Sequence, residues 1–169
     1  ETLAHARHRK ARIYAELLGY GISCDAQHMT IPHRPSVVRV MKTALQACKL
    51  SPADVSVISA HGTGTRMNDQ NEAQAIRELF GQATDRIPVY SIKSMLGHTM
   101  GAASGMEAIS CILAIRDGKI PPTINFETPD PECPIDCVPN QMREHPVAIA
   151  MNNAYAFGGN NAATIFSRL

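Results

Sequence analysis

The chain has 169 residues, 44% of them hydrophobic and 18% charged, with a formal net charge of +1. That is enough for one domain with a sizeable core, and a charge this close to zero points to neither nucleic acid nor an anionic membrane as partner. No apolar run approaches the ~18 residues that a spanning helix needs.

Residues 1–11 read as a helix tail or loop. They are polar and basic and lack the apolar centre of a secretory signal. The chain starts at Glu1 rather than Met, which suggests a cut or partial chain. Ile13 to Gly21 alternates as a strand, with Gly19 and Gly21 marking its end. Ile22 to Arg34 is a loop carrying His28, Met29 and His33, and Pro35-Ser36 opens a helix. Along that helix Val37, Val38, Val40, Met41, Ala44, Leu45 and Cys48 recur at helical spacing. Val55 to Ala60 is a short β-branched run of the length of a buried strand. After it comes the loop His61-Gly62-Thr63-Gly64-Thr65.

A second helix is expected over Asp69 to Phe80, with Ala73, Ile76 and Leu79 or Phe80 inward and Gly81 as its stop. Asn68 or Asp69 can cap it, and Glu72 completes an acid-headed capping box with Asp69. Pro88 to Ile92 is a short strand, Lys93 to Gly97 a loop, and a long helix is expected from about His98 to Arg116. Gly101, Ala102, Ala103, Ser104 and Gly105 make its first turns unusually small. Glycine inside a helix costs about 1 kcal/mol against alanine, so close packing against another backbone is expected there. Pro121 to Asn140 is a proline-rich connection with little regular structure. Val147 to Met151 and Ala163 to Phe166 form a terminal hairpin around Phe157-Gly158-Gly159. The order predicts a mixed α/β sheet covered by helices on both faces.

Five cysteines, Cys24, Cys48, Cys111, Cys133 and Cys137, are irregularly spaced without a CxxC pair, as expected of free thiols in a reducing cytoplasm. Cys133, Cys137 and His145 lack an evident fourth metal ligand, and no metal site is expected.

Chemistry-bearing residues collect in three loops, each after a short strand, where open α/β sheets place their ligands. The first holds His61, with the Thr63 and Thr65 hydroxyls available to fix its imidazole; the second holds Lys93 and His98; the third runs from Asn152 to Asn161. Two histidines and a lysine on one rim suit acid/base work or oxyanion binding. His98, near a helix start, is placed for the helix dipole to disfavour its cationic form.

The His61-Gly62-Thr63-Gly64-Thr65 loop, the Lys93-to-His98 loop and the Asn153-to-Asn161 glycine loop together resemble the signature loops of the β-ketoacyl-[acyl-carrier-protein] synthases. Residues 15–21, 25–30 and 121–125 are similar to the type II elongating class of that family. The resemblance implies a thiolase-like fold of two similar α/β halves. Residues 1–12 would be the tail of the first half and residues 13–169 the C-terminal synthase domain. The family nucleophile is a Cys of the first half in a Cys-Ser-Ser-like context, which none of the five cysteines has.

The implied activity is decarboxylative Claisen condensation of an acyl thioester with malonyl-carrier protein, without a resident cofactor. Acyl carrier protein, malonyl and acyl thioesters, and a second copy of the full-length chain are the implied partners. His61 and His98 match the two catalytic histidines, Lys93 the family lysine, and Glu107 a glutamate expected to pair with Lys93. Phe157 matches the residue at the mouth of the acyl pocket, with Gly158 and Gly159 giving its loop freedom to swing. The sequence departs from the family at Ala156 (commonly Gly), Asn160 (commonly Thr), Asn68-Asp69 (usually Gly-Asp) and the shortened segment Met29 to Ser36. The alternatives are an inactive synthase-like partner of the chain-length-factor type, or an acyl-binding thiolase-fold module.

Overall fold

A computed structural model describes residues 1–169. Thr2 caps a short helix α1 (Leu3–His8), and the first strand follows as β1 (Glu16–Cys24). Strand β1 starts later than its alternation predicts and runs through Gly19 and Gly21 instead of stopping there. The reason is the helix α2 (Arg34–Ala47) laid across it. A Cβ at Gly21 would sit 2.3 Å from the Val40 carbonyl oxygen, and one at Gly19 would meet Cys48 Sγ at 2.8 Å. These glycines are sites of close approach, not turn signals.

The next strand, β2 (Val57–Ser59), is wholly buried. Helix α3 (Arg66–Phe80) begins three residues before its expected start, behind Thr65, and ends at Gly81, whose φ is +53°. The Asp69–Glu72 capping box does not form, because both carboxylates turn back to the loop before the helix. After β3 (Val89–Tyr90) comes a one-turn helix α4 (Lys93–Leu96) where a loop is expected. The long helix α5 covers only Ala103–Asp117. Met100 has a left-handed backbone (φ +52°), which separates His98 from it. The expected close packing at Gly101 and Gly105 is not found, since a Cβ on either would meet nothing within 4 Å.

Short strands β4 (Lys119–Ile120) and β5 (Arg143–Glu144) pair across the irregular 121–142 connection, and neither is foreseen in the sequence. The hairpin β6 (Ile149–Ala156) and β7 (Asn160–Ser167) turns at Phe157–Gly159 as expected, with longer strands.

The main sheet has the order β1-β7-β6-β2-β3, with β2 parallel to β3 and β6, and β7 antiparallel to β6 and β1. Helices α2 and α3 cover one face, burying Val37, Val40, Met41 and Ile76 against Ile58, Met151 and Ile165. Helix α5 covers the other, where Cys111, Ala114 and Ile115 meet Val57, Tyr90 and Ala150. The mixed sheet with helices on both faces is thus observed. Strands β2 and β3 end on one edge of the molecule, and the β6–β7 turn reaches the same edge. No helix is long and apolar enough to cross a membrane.

Candidate active site

His61 follows β2 by two residues and is 7% exposed. Lys93 opens α4 just past β3 and is 8% exposed. Lys93 Nζ donates to the His61 carbonyl oxygen at 2.6 Å and reaches His61 Nδ1 at 3.4 Å. Its remaining proton goes to Glu107 Oε1, on the buried side of α5. An ammonium has three protons, so all of them are engaged. Glu107 is 1% exposed, and burial pushes its carboxyl up while the Lys93 charge pulls it back. The expected Lys93–Glu107 pair therefore forms, deep inside the protein.

The His61 pKa falls to about 3 because burial strips solvent from the cation, with the Lys93 charge and then His98 adding to the effect. The ring is neutral, and the ammonium on Nδ1 leaves its proton on Nε2. His98 is exposed, with its ring centroid 5.7 Å from that of His61 and the planes nearly perpendicular. Its Nδ1 accepts from the Met100 N–H at 3.2 Å, so its proton too belongs on Nε2. Helix α5 starts only at Ala103, five residues later, so His98 does not sit at the helix start that the sequence suggests. The site thus holds two adjacent imidazoles with both Nδ1 atoms acting as acceptors, which leaves two Nε2–H donors for an oxyanion.

Thr63 and Thr65 do not fix the imidazole; their hydroxyls bond each other at 3.0 Å. Glu72 holds the loop instead. Its Oε1 accepts from the His61 N–H and its Oε2 from the Gly62 N–H, both at 2.9 Å. Asn153 Nδ2 approaches Oε1 at 3.4 Å. Burial raises the Glu72 pKa, and these donors oppose the rise. Gly62 (φ +41°) lies against Ser91, whose hydroxyl donates to the Gly62 carbonyl at 2.8 Å. Tyr155, on β6, sets its ring 5.3 Å from that of His61. These supports are absent from the sequence reading. One signal was present: Glu72 stands in the i+4 row Asn68, Glu72, Ile76, Phe80, which is buried throughout.

The turn carrying Phe157, Gly158 and Gly159 begins two residues past Tyr155. Phe157 is 69% exposed at its tip. The turn is braced where freedom to swing is expected. The Gly158 N–H donates to the Met29 carbonyl at 2.7 Å, and the Asp25 N–H to the Gly159 carbonyl at 2.9 Å. A Cβ at Gly159 would lie 2.5 Å from Asp25 Cβ. Cys133, Cys137 and the other cysteines are free thiols, and no three His, Cys, Asp or Glu side chains are grouped to hold a metal.

Comparison with known proteins gives the family and the fold. Residues 14–127 match the family described as "Beta-ketoacyl synthase, C-terminal domain". The chain is 44% identical over 169 residues to nodulation protein E of Rhizobium meliloti, covering 100% of this chain and 42% of the relative. It is also 44% identical over 170 residues to 3-oxoacyl-[acyl-carrier-protein] synthase 2 of Staphylococcus aureus, covering 99% of this chain and 41% of that protein. The chain thus spans about two fifths of the length of these relatives. Among solved structures, "the ishigamide ketosynthase/chain length factor" superposes with a TM-score of 0.96 at 48% identity, over 100% of this chain and 41% of that one. A type II PKS ketosynthase in complex with its acyl-carrier protein gives a TM-score of 0.96 at 38% identity, over 100% and 42%.

Proposed function

The chain belongs to the β-ketoacyl synthase family, whose C-terminal domain it carries in a thiolase-type fold, and from that premise we propose that it is the C-terminal part of a 3-oxoacyl-[acyl-carrier-protein] synthase. Residues 13–169 form the catalytic domain's second half, and residues 1–12 close the first. The acyl chain is carried as a thioester on a cysteine upstream of Glu1. Malonyl-carrier protein then binds, its C–C bond to the carboxylate breaks, and carbon dioxide leaves. The released electron pair forms an enolate, whose oxygen takes the Nε2–H donors of His61 and His98. The enolate carbon attacks the acyl carbonyl, a new C–C bond forms, and the C–S bond breaks to return the cysteine thiolate.

Lys93 holds His61 in the donating tautomer, and Glu107 balances its charge. The Phe157 backbone N–H serves the acyl oxyanion. This chemistry needs no resident cofactor, because the phosphopantetheine arm arrives with the carrier protein. The partner is an acyl carrier protein, the full-length enzyme pairs with its own copy, and the cytoplasm is its compartment.

One observation carries the reading: both Nδ1 atoms face donors, so two imidazoles whose ring centroids lie 5.7 Å apart each keep an Nε2–H free to donate. Each such donor is worth roughly 10²–10³ in rate. In the full-length enzyme, His61→Ala or His98→Ala is expected to lower malonyl decarboxylation by about that factor; parent-like rates would refute the assignment. Residues 1–169 alone are expected to show no turnover. A partner of the chain-length-factor type is the second reading, favoured by the similar structure described as a ketosynthase/chain length factor. The retained His61, Lys93 and His98 weigh against it, and a Gln in place of the upstream cysteine would establish it.

A further inference from the structure

Tyr155 is 9% exposed and packs against the His61 ring, yet its hydroxyl has no hydrogen-bond partner. A bare phenyl ring would fill the same space, and a buried hydroxyl without an acceptor is costly. The phenol therefore calls for an acceptor close by. Strand β6 indicates which one. Side chains two apart share a face of a strand, and Met151, Asn153 and Tyr155 lie on the face beneath α2 and α3, with Met151 and Tyr155 in that core. Asn153 already approaches Glu72 Oε1 at 3.4 Å. Tyr155, next along this face, neighbours the same carboxylate: burial and then the Glu72 charge push its phenol well above the usual range. The Glu72 oxygens hold one backbone N–H each and have lone pairs to spare.

We propose that Tyr155 is a positioning residue for His61, its hydroxyl donating to Glu72 so that the two side chains together fix the His61–Gly62 backbone beneath the ring that Tyr155 also supports. The proposal rests on the role given to His61 above. Around Glu72 stand Asp69 of its own helix, His61 of the β2 loop with Lys93 of α4 behind it, and Tyr155 of β6. Helix α2 presents the uncharged Met41.

The test uses Tyr155→Phe in the full-length enzyme, alone and in a Glu72→Gln background. The hydroxyl favours ionised Glu72. Its contribution is therefore complete above the higher pKa that Glu72 has without the hydroxyl and is lost as pH falls through the lower pKa it has with it. The parent's advantage in Tm over Tyr155→Phe is expected to be larger at pH 8 than at pH 4, and independent of pH in the Glu72→Gln background. A gap independent of pH in both backgrounds would mean packing alone and overturn the proposal. The acid limb of malonyl decarboxylation is expected to move up by about one to two pH units in Tyr155→Phe, the equivalent of one hydrogen bond to a charged group. A pH-dependent Tm gap with an unmoved limb would overturn the positioning role while leaving the Tyr155–Glu72 bond. A parent enzyme without decarboxylase activity would instead refute the functional reading, and the Tm comparison would still decide the bond.

Discussion

Lys93→Met separates the two tasks of one ammonium. All three of its protons are engaged, on Glu107 Oε1, on the His61 carbonyl at 2.6 Å and on His61 Nδ1 at 3.4 Å. The Lys93 and Glu107 side chains are 5% and 1% exposed, so the carboxylate left behind has no water to turn to. Orphaning one member of such a buried pair costs about 3–5 kcal/mol. In Lys93→Met/Glu107→Leu the desolvation penalty goes with the attraction, and most of the lost stability is expected to return. The rate is not expected to return with it. Both variants lose the donor on His61 Nδ1, so the imidazole proton is no longer directed to Nε2. Its pKa rises from about 3 once the Lys93 charge is gone, but burial, the larger cause, keeps it below 6.5. Loss of one oriented oxyanion donor is worth roughly 10²–10³ in rate. Thermal unfolding and malonyl decarboxylation of the parent, the single and the double variant test this. A Lys93→Met protein as stable as the parent, or a double variant with the parent's rate, would refute the reasoning.

Two further outcomes follow from the same geometry. Gly158→Ala meets only the φ of +81°, with no atom closer than 3.5 Å, so a loss of about 1–2 kcal/mol is expected. Gly159→Ala adds a clash at 2.5 Å with Asp25 Cβ and should unfold at a lower temperature than Gly158→Ala; equal melting temperatures would count against the bracing of the turn. For His61, a folded pKa of about 3 against an ordinary value of 6.5 means that the unfolded chain binds the proton first. Stability from this group is complete above pH 6.5 and declines toward pH 3, by about 1.4 kcal/mol per unit. A His61→Asn variant should lack that part of the acid slope in a series of melts, and an unchanged slope would show that the imidazole is not desolvated.

The three chemistry-bearing segments were legible because each begins at or near a strand of apolar residues, although only the first is a loop: Lys93–Leu96 is a helical turn and Asn152–Asn161 is the end of β6, the Phe157–Gly159 turn and the start of β7. The order of elements followed from the same periodicity. The errors share one cause. Gly19 and Gly21 looked like punctuation because nothing local says that α2 crosses them. Glu72 looked like a cap because its spacing from Asp69 is right for one, although its carboxylate is spent on the His61 and Gly62 backbone. Thr63 and Thr65 are hydroxyls of the same loop as His61, yet the fixing group, Lys93, comes from 32 residues away.

By itself the sequence determined the class of fold and singled out His61, Lys93 and His98 as chemistry-bearing residues near strand ends, since these depend on residue type and on local patterns, while Glu107 was reached only through the resemblance to the synthase family. Only the tertiary structure decided the charge of His61, which nitrogen of each imidazole holds its proton, and the roles of Glu72 and Tyr155. A proton's position depends on which donor reaches Nδ1 and on how much water remains. Both are set where β2, β6, α3, α4 and α5 come together, across separations that no local pattern spans.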